Sequence, residues 1–293
     1  MRASSCSRAA PQGDVVGRSL ASGHYPREMH PASENLAVAD VPRSETVSGT
    51  SGTLACLPSE DRGRSMSNTS PIMIIGAGGH AKVIIELFQA AGDFEIAGLI
   101  ERNPIRSSVL GVPVIGTDND LLHLRKKGIN KAFVGIGDNA RRVRIGHHLR
   151  QIGYDIVNAV SPAAVVSGSA TIGRGVAIMA GVVINAETRI DDFAVINTRS
   201  SIDHDCWFGE GIHVAPGCTI AGNVTIGRLA CIGAGATIIP RVTIGERALV
   251  GAGSCVIRDV PNAARVWGVP AKLGRSSKGM DPADKEPSRQ DVD

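Results

Sequence analysis

Aliphatic residues recur at every sixth position through the second half of the chain. The series runs from Val160 to Val256 over 17 repeats without an insertion, and Phe208 alone departs from Val or Ile. The residue four places later is small or β-branched in each repeat, from Ala164 to Val260. An amphipathic helix would repeat about every 3.6 residues, so this period predicts a parallel β-helix of short strands. With three repeats to a triangular coil, the aliphatic residues point to the axis and the 17 repeats make between five and six coils.

A different pattern precedes the repeat. The segments IMIIG, EIAGLIE, VPVIG and KAFVGIG predict short buried strands, and HAKVIIELFQAAG, DNDLLHLRKKG and DNARRVRIGHHLRQIG predict helices. Apolar residues of the first helix share the helical spacing: Val83, Ile84, Leu87, Phe88 and Ala91. Alternating strands and helices predict a parallel α/β sheet, about half the size of a full dinucleotide-binding fold. The predicted fold class is therefore an α/β Rossmann-like domain followed by a parallel β-helix.

Both ends of the chain are polar. Residues 1–70 contain no Ile, Phe, Trp or Lys, so they cannot bury enough apolar area to offset their ordering entropy. We therefore predict that this segment is disordered. A transit peptide is an alternative, but the acidic residues of the segment argue against it, and we predict that Met66 is the natural start. The predicted boundaries are a leader at 1–70, the Rossmann-like domain at 71–157, the β-helix at 158–261, and a cap segment with a polar tail at 262–293.

Composition narrows the class of protein. A hydrophobic fraction of 43% and a net charge of +3 in 293 residues describe a soluble globular protein without an electrostatic footprint for nucleic acid. No apolar run approaches the roughly 18 residues of a membrane helix. The 6 cysteines form no CxxC pair and follow no secretory leader, which indicates reduced thiols in a cytoplasmic protein.

The first strand and helix are joined by GAGGHA, in which Gly76, Gly78 and Ala81 fit G-x-G-x-x-A. Such glycines let the backbone approach a diphosphate at a helix N-terminus. Glu101 lies 25 residues beyond Gly76, where an acid can bind ribose hydroxyls. The motif alone fits NAD or a turn that needs glycine only for packing. Because one mononucleotide-sized half is present, a nucleotide diphosphate attached to another group fits better.

The segment SSIDHDCWFGEGIH places His204 between Asp203 and Asp205, at an outward corner of the predicted coil. Flanking carboxylates raise the basicity of an imidazole and fix its tautomer, as a general base requires. A solvated surface histidine is the simplest alternative. A zinc site is another, but His213 is the only further histidine after residue 158, and zinc sites of this kind use three.

Five segments together carry a family resemblance: GAGGHAKVI, VGIGDNARR, NTRSSIDHDCWFGEGIHVAPGCTIAGNVTIG, GAGATIIP and WGVPAK. They resemble bacterial hexapeptide-repeat sugar acetyltransferases, in particular the sialic acid O-acetyltransferase and UDP-4-amino-sugar N-acetyltransferase group. The resemblance covers residues 71–274. It implies a left-handed β-helix and a homotrimer, with acetyl-CoA in the groove between neighbouring β-helices. It also implies a sugar nucleotide bound against the N-terminal domain.

The resemblance also implies roles for individual residues on the acetyl side of the site. His204 takes the place of the general base and Asp205 that of the carboxylate that orients it. His213 matches a histidine near the thioester end of acetyl-CoA. The backbone N–H of Gly222 matches the donor to the oxyanion.

On the nucleotide side, the resemblance places Gly78, Gly79 and His80 on the diphosphate. Glu101 matches an acid that holds the nucleoside, and Asp138 a polar residue near the base. Members of the family often carry paired acids after the second strand, whereas here Glu101 is followed by Arg102. The nucleotide, whether UDP, GDP or dTDP, is therefore open at this point.

The predicted function is transfer of acetyl from acetyl-CoA to the amino group of a nucleotide-linked 4-amino-4,6-dideoxy sugar, in surface glycan biosynthesis. O-acetylation of sialic acid or another sugar is the alternative, and a β-helical zinc lyase or a non-catalytic nucleotide-sensing scaffold are weaker ones. Transfer from a thioester needs a proton acceptor and an oxyanion donor, but neither a metal nor a covalent enzyme intermediate. Cys206 and Cys218 occupy the small inward position, which predicts compact apolar residues rather than nucleophiles.

Overall fold

The computed structural model describes residues 70–274. The predictions for the leader, for Met66 as the start and for the polar tail from Arg275 lie outside the described residues.

The first part of the described chain is a sheet of six strands with the order β3-β4-β2-β1-β5-β6. Its strands are β1 Ser70–Ile75, β2 Phe94–Ile100, β3 Ser108–Val109, β4 Val112–Gly116, β5 Lys131–Val134 and β6 Asp155–Ile156. The helices are α1 Gly79–Ala91, α2 Leu121–Lys126, preceded by a 3-10 turn at Asp118–Asp120, and α3 Asn139–Gln151. All pairings are parallel except the β3–β4 hairpin, which the sequence pattern did not indicate. The Rossmann-like prediction is confirmed.

Helix α1 packs on this sheet through one apolar face. Ile84, Ile85 and Phe88 are almost completely buried, and the Phe88 ring meets Phe133 edge-on. The prediction that Val83 belongs to this face is wrong, because Val83 is 43% exposed and Ile85 is buried in its place. Helical spacing does not show which residues at the edge of the apolar face are buried, because positions three and four residues apart both fit that face.

The hexad repeat forms a parallel β-helix of 17 two-residue strands, β7 to β23, each six residues after the last. Each strand pairs with the strand three further on, so one coil takes 18 residues and Ile184 lies beside Ile202. The strands are Ala159–Val160, Val165–Val166, Thr171–Ile172, Ala177–Ile178, Val183–Ile184, Arg189–Ile190, Val195–Ile196, Ser201–Ile202, Trp207–Phe208, His213–Val214, Thr219–Ile220, Thr225–Ile226, Cys231–Ile232, Thr237–Ile238, Thr243–Ile244, Leu249–Val250 and Cys255–Val256. The predicted architecture is confirmed strand by strand.

The core of the β-helix is built as the period predicts. From Ile178 onward the second residue of every strand is buried, as is the residue four places later. Val160, in the first strand, is 37% exposed, because the first coil has no coil beneath it. Helix α1 packs against that first strand, and the apolar cores of the two parts form one continuous cluster.

The far end of the β-helix is covered by two further strands. Strand β24 (Arg265–Trp267) pairs in parallel with β22, and β25 (Lys272–Leu273) returns antiparallel to it. Such a covering protects the last coil from pairing with another chain. Within residues 70–274, no helix is long and apolar enough to span a membrane.

Candidate active site

One corner of the β-helix brings His204 and Gly222 together. They occupy the same turn position in successive coils, and the Asn223 N–H donates to the His204 carbonyl at 2.9 Å. The His204 side chain is 52% exposed, and its Nδ1 lies 2.6 Å from Asp205 Oδ2. This hydrogen bond and the charge of Asp203 raise the pKa of His204 above its usual value. Because a carboxylate can only accept, Nδ1 carries the proton in the neutral ring and Nε2 keeps its lone pair.

Asp203 holds the turn that carries this imidazole. Its Oδ1 accepts from the His204 N–H at 2.9 Å and from Asn185 Nδ2, one coil below, at 3.2 Å. These contacts fix the backbone of the corner while Asp205, at φ 57, takes the left-handed position of the turn. Both aspartates thus act on His204, but Asp205 bonds the ring, whereas Asp203 bonds the backbone and reaches the ring only through its charge.

Gly222 is needed because the imidazole of His204 lies against it. A Cβ at this position would lie 2.8 Å from both Cε1 and Nε2 of His204. Gly222 is buried, and no described residue accepts a hydrogen bond from its N–H. An exposed imidazole with a free Nε2 and a backbone N–H without an acceptor thus lie in adjacent turns of one corner. Acyl transfer requires a proton acceptor and an oxyanion donor, and these two groups could serve as them.

His213 lies in strand β16, with the whole of β15 between it and His204. Its Nε2 is 3.5 Å from Asn197 Nδ2 in the preceding coil of the β-helix. Burial, followed by Arg142 and His80, lowers the pKa of His213 to about 4. Burial and Arg142 do the same to the pKa of His80, also to about 4, and His80 Nε2 is buried without a partner. Both imidazoles, near Arg142 at the junction of the domains, are therefore neutral at neutral pH.

Arg142 joins the two domains at this junction, and the sequence pattern did not single it out. Its completely buried guanidinium donates to the carbonyls of Phe193, Gly211 and Ile212 in the β-helix at 2.8–3.2 Å. It also donates to Ile136 and Gly137, at 3.1 Å each, in the loop before α3. Helical spacing could have predicted the burial of Arg142, because this residue lies on the same face of α3 as the buried residues Val143, Gly146 and Leu149.

The glycine turn opens onto a cleft at the carboxyl ends of the sheet strands. Gly78, Gly79 and His80 line it together with Glu101 and Arg141. Glu101 Oε2 accepts the Ala77 N–H at 3.0 Å, so this acid holds the turn and keeps its second oxygen for a ligand. The cleft continues past residues 103–106 as a space of about 520 Å³. Its position, at a helix N-terminus beside an acid that ends the second strand, suits a nucleoside diphosphate.

Two further residues near the cleft differ in their surroundings. Asp138 is the N-cap of α3, where its Oδ1 accepts the Arg141 N–H at 2.6 Å, and it does not line the cleft. Its place near the base thus stays a prediction. Arg102 does line the cleft and is held by Asp118, which accepts from its Nε at 3.0 Å and its Nη2 at 2.8 Å.

The residues that a zinc site or a cysteine nucleophile would need can also be located in the structure. Among residues 70–274 there is no group of three His, Cys, Asp or Glu side chains arranged to hold a metal ion. Cys206 and Cys218 are buried free thiols in the inward position, as predicted. Burial raises the pKa of both thiols, which disfavours the nucleophilic thiolate.

Comparison with known proteins gives matches to both domains. Residues 71–149 match the family model described as the PglD N-terminal domain. The UDP-N-acetylbacillosamine N-acetyltransferase of Bacillus subtilis is 34% identical over 111 residues, 37% of this chain and 51% of that enzyme. The GDP-perosamine N-acetyltransferase of Escherichia coli O157:H7 is 30% identical over 167 residues, 55% of this chain and 74% of that enzyme. The chain thus spans about half of the Bacillus relative and about three quarters of the other.

A solved structure matches over both domains together. The PerB protein of Caulobacter crescentus, in complex with CoA and GDP-perosamine, is 47% identical with a TM-score of 0.68. The match covers 70% of this chain and 98% of that one. The described domains, their order and these identities lead to one conclusion: the chain belongs to the family of hexapeptide-repeat nucleotide-sugar N-acetyltransferases.

Proposed function

We propose that this protein transfers the acetyl group of acetyl-CoA to the 4-amino group of a GDP-linked 4-amino-4,6-dideoxy sugar. The observation that carries the proposal is the His204–Asp205 pair packed against Gly222, whose N–H has no acceptor among the described residues. Membership of a family with CoA- and sugar-nucleotide-bound relatives supports it. We also propose that the protein acts in the cytoplasm, where free thiols such as those of Cys206 and Cys218 persist.

The chemistry follows from the atoms at the corner. The amine of the sugar attacks the thioester carbonyl, so a C–N bond forms and the C–S bond breaks. His204 Nε2 accepts the proton that the nitrogen loses and passes it to the departing CoA thiolate. The Gly222 N–H donates to the oxygen that becomes negative in the tetrahedral intermediate. Asp205 keeps the ring oriented and stabilises the imidazolium that forms.

The nucleotide is inferred from the cleft and from the relatives together. Guanine presents two adjacent acceptors, O6 and N7, to which an arginine can donate from two nitrogens. In uracil the acceptors O2 and O4 are separated by the N3–H donor and form no such adjacent pair. Arg102, held by Asp118 through Nε and Nη2, lines the cleft, and we propose that its remaining N–H groups donate to the base. The enzyme with 47% identity was solved with GDP-perosamine. Both points favour GDP over UDP.

A screen of acceptors tests the proposed function. Acetyl-CoA consumption, followed through the released CoA thiol, is measured with GDP-, UDP- and dTDP-linked 4-amino sugars and with free sialic acid. We expect turnover with the GDP-linked amino sugar to exceed that of every other acceptor by at least about tenfold in kcat/KM, since one bidentate base contact is worth roughly 1–3 kcal/mol. Turnover on free sialic acid alone would replace the proposal with O-acetylation.

Assembly is a further prediction, because the two halves of the proposed site belong to different parts of the chain. The nucleotide cleft is lined by residues of the N-terminal domain, His80 among them, while His204 lies on a corner of the β-helix before β15. We therefore propose a homotrimer in which acetyl-CoA lies between neighbouring β-helices and the nucleotide domain of one chain serves the base of another. Light scattering coupled to gel filtration should find a trimer, with activity lost on dilution to monomers. An active monomer would contradict this arrangement.

A further inference from the structure

Four inward polar side chains make the same contact at one spacing. Each donates to a turn carbonyl 15 residues later, in the next coil of the β-helix. The pairs are Thr188 to Asp203 at 2.9 Å, Ser200 to Ala215 at 2.9 Å, Cys206 to Ala221 at 3.3 Å and Cys218 to Gly233 at 3.2 Å. Because the thiols repeat the geometry of the hydroxyls, their S–H groups act as hydrogen-bond donors here.

The hydrogen bond of Cys206 differs from the other three in its acceptor, the carbonyl of Ala221. The carbonyl of Ala221 belongs to the same peptide unit as the N–H of Gly222. A peptide unit is planar, with its C=O and N–H pointing in opposite directions, so a donor that holds the carbonyl also aims the N–H. Cys206 Sγ lies 3.7 Å from the His204 carbonyl as well, so this thiol contacts both turns of the candidate active corner.

We propose that Cys206 is a positioning residue for acetyl transfer. Its thiol donates to the Ala221 carbonyl and thereby fixes and strengthens the Gly222 N–H as the donor to the oxyanion. This inference rests on the proposed function, in which that N–H meets the acetyl oxygen.

The size of the effect follows from the coupling of hydrogen bonds. Accepting a bond at its carbonyl makes the N–H of a peptide a better donor, by about 10–30% per bond. Losing an oxyanion donor outright lowers kcat by about 10²–10³. If the Cys206 bond supplies about 10–30% of the corresponding free energy, its loss should lower kcat about two- to eightfold. Cys206 is 1% exposed, and its thiol therefore stays protonated and in place as a donor.

Three variants separate positioning from packing. Cys206→Ala removes the hydrogen-bond donor, and Cys206→Ser keeps one. Cys218→Ala is the control: it removes the same thiol from the same inward position of the repeat, two repeats further along the chain and away from the His204 corner. Serine is compatible with this position, because Ser200 is completely buried there and donates at 2.9 Å. We expect the two alanine variants to lose similar amounts of melting temperature. We expect kcat on the GDP-linked amino sugar to fall about two- to eightfold in Cys206→Ala alone, with KM for acetyl-CoA unchanged.

A second readout does not depend on turnover. In protein labelled with ¹⁵N-glycine, Cys206→Ala should shift the amide proton of Gly222 to lower frequency, while Cys206→Ser and Cys218→Ala leave it near its wild-type position. Equal kcat values and an unmoved Gly222 amide in Cys206→Ala would overturn the inference. Failure of the wild-type protein to acetylate any nucleotide sugar would instead overturn the proposed function, so the two are tested separately.

Discussion

Replacing His204 with alanine should lower kcat on the GDP-linked amino sugar by about 10²–10⁴, the usual contribution of a general base. The fold should survive, because the side chain is 52% exposed and no core residue depends on it. KM for both substrates should change little, since the imidazole acts on the proton that leaves during the reaction. Steady-state kinetics with a melting curve of the same preparation measure all three quantities.

The pH profile gives the same hypothesis a second test. The hydrogen bond to Asp205 and the charge of Asp203 raise the pKa of His204, and only the neutral ring can accept a proton. Activity should therefore fall as the pH drops through the pKa of His204, which lies above its ordinary value. Asp205→Asn removes the main cause of the raised pKa, so its acidic limb should move to lower pH while kcat also decreases. An acidic limb that stays in place in Asp205→Asn would show that another group controls it.

His147 provides the control for His204. It is also a half-exposed histidine beside a carboxylate, with Nε2 2.6 Å from Glu210 Oε1, but it lies on α3 away from the corner. His147→Ala should keep kcat within about twofold of the wild type. Near-normal turnover in His204→Ala would make His204 a surface histidine with no part in the reaction.

Substituting Gly222 with alanine should lower kcat by about 10²-fold, although it adds a single methyl group. The new Cβ would lie 2.8 Å from Cε1 and Nε2 of His204, and the half-exposed ring would have to move outward. A displacement of about 1 Å in a catalytic group costs about 10² in rate. The backbone of Gly222 does not require a positive φ, so the melting temperature should hold or rise slightly.

Gly168 is the matched control for this substitution. It occupies the same corner position three coils earlier and has no positive φ, and a Cβ added there would meet no atom within 4 Å. Gly168→Ala should leave both kcat and KM unchanged. Full activity in Gly222→Ala would mean that the base does not depend on its position against this turn.

The β-helix was predictable because its sequence period is also its structural period. One coil takes 18 residues, so His204 and Gly222, 18 positions apart, had to occupy the same corner. The outward direction of His204 and the inward direction of Cys206 follow from their places within the repeat. The placement of these residues at the corner could therefore be predicted from spacing, whereas the role of Gly222 was implied only by the family resemblance.

The junction of the two domains was not predictable in this way. His80, Arg142 and His213 come from the first turn of α1, from α3 and from β16, and no period relates them. Their approach depends on how the α/β sheet packs on the side of the β-helix, which is decided by apolar contacts throughout both parts. The sequence around Asp138 likewise did not show whether this residue contacts a ligand or caps a helix. In the structure it caps α3.

The position of the transferred acetyl group tests the central claim most directly. The purified protein is incubated with ¹³C-acetyl-CoA and GDP-perosamine, and the product is analysed by mass spectrometry and NMR before and after mild alkali. We predict one added acetyl group, on the 4-amino nitrogen, as an amide that survives alkali, and no such product with His204→Ala. An alkali-labile ester, or an amide formed equally well by His204→Ala, would contradict the proposed function.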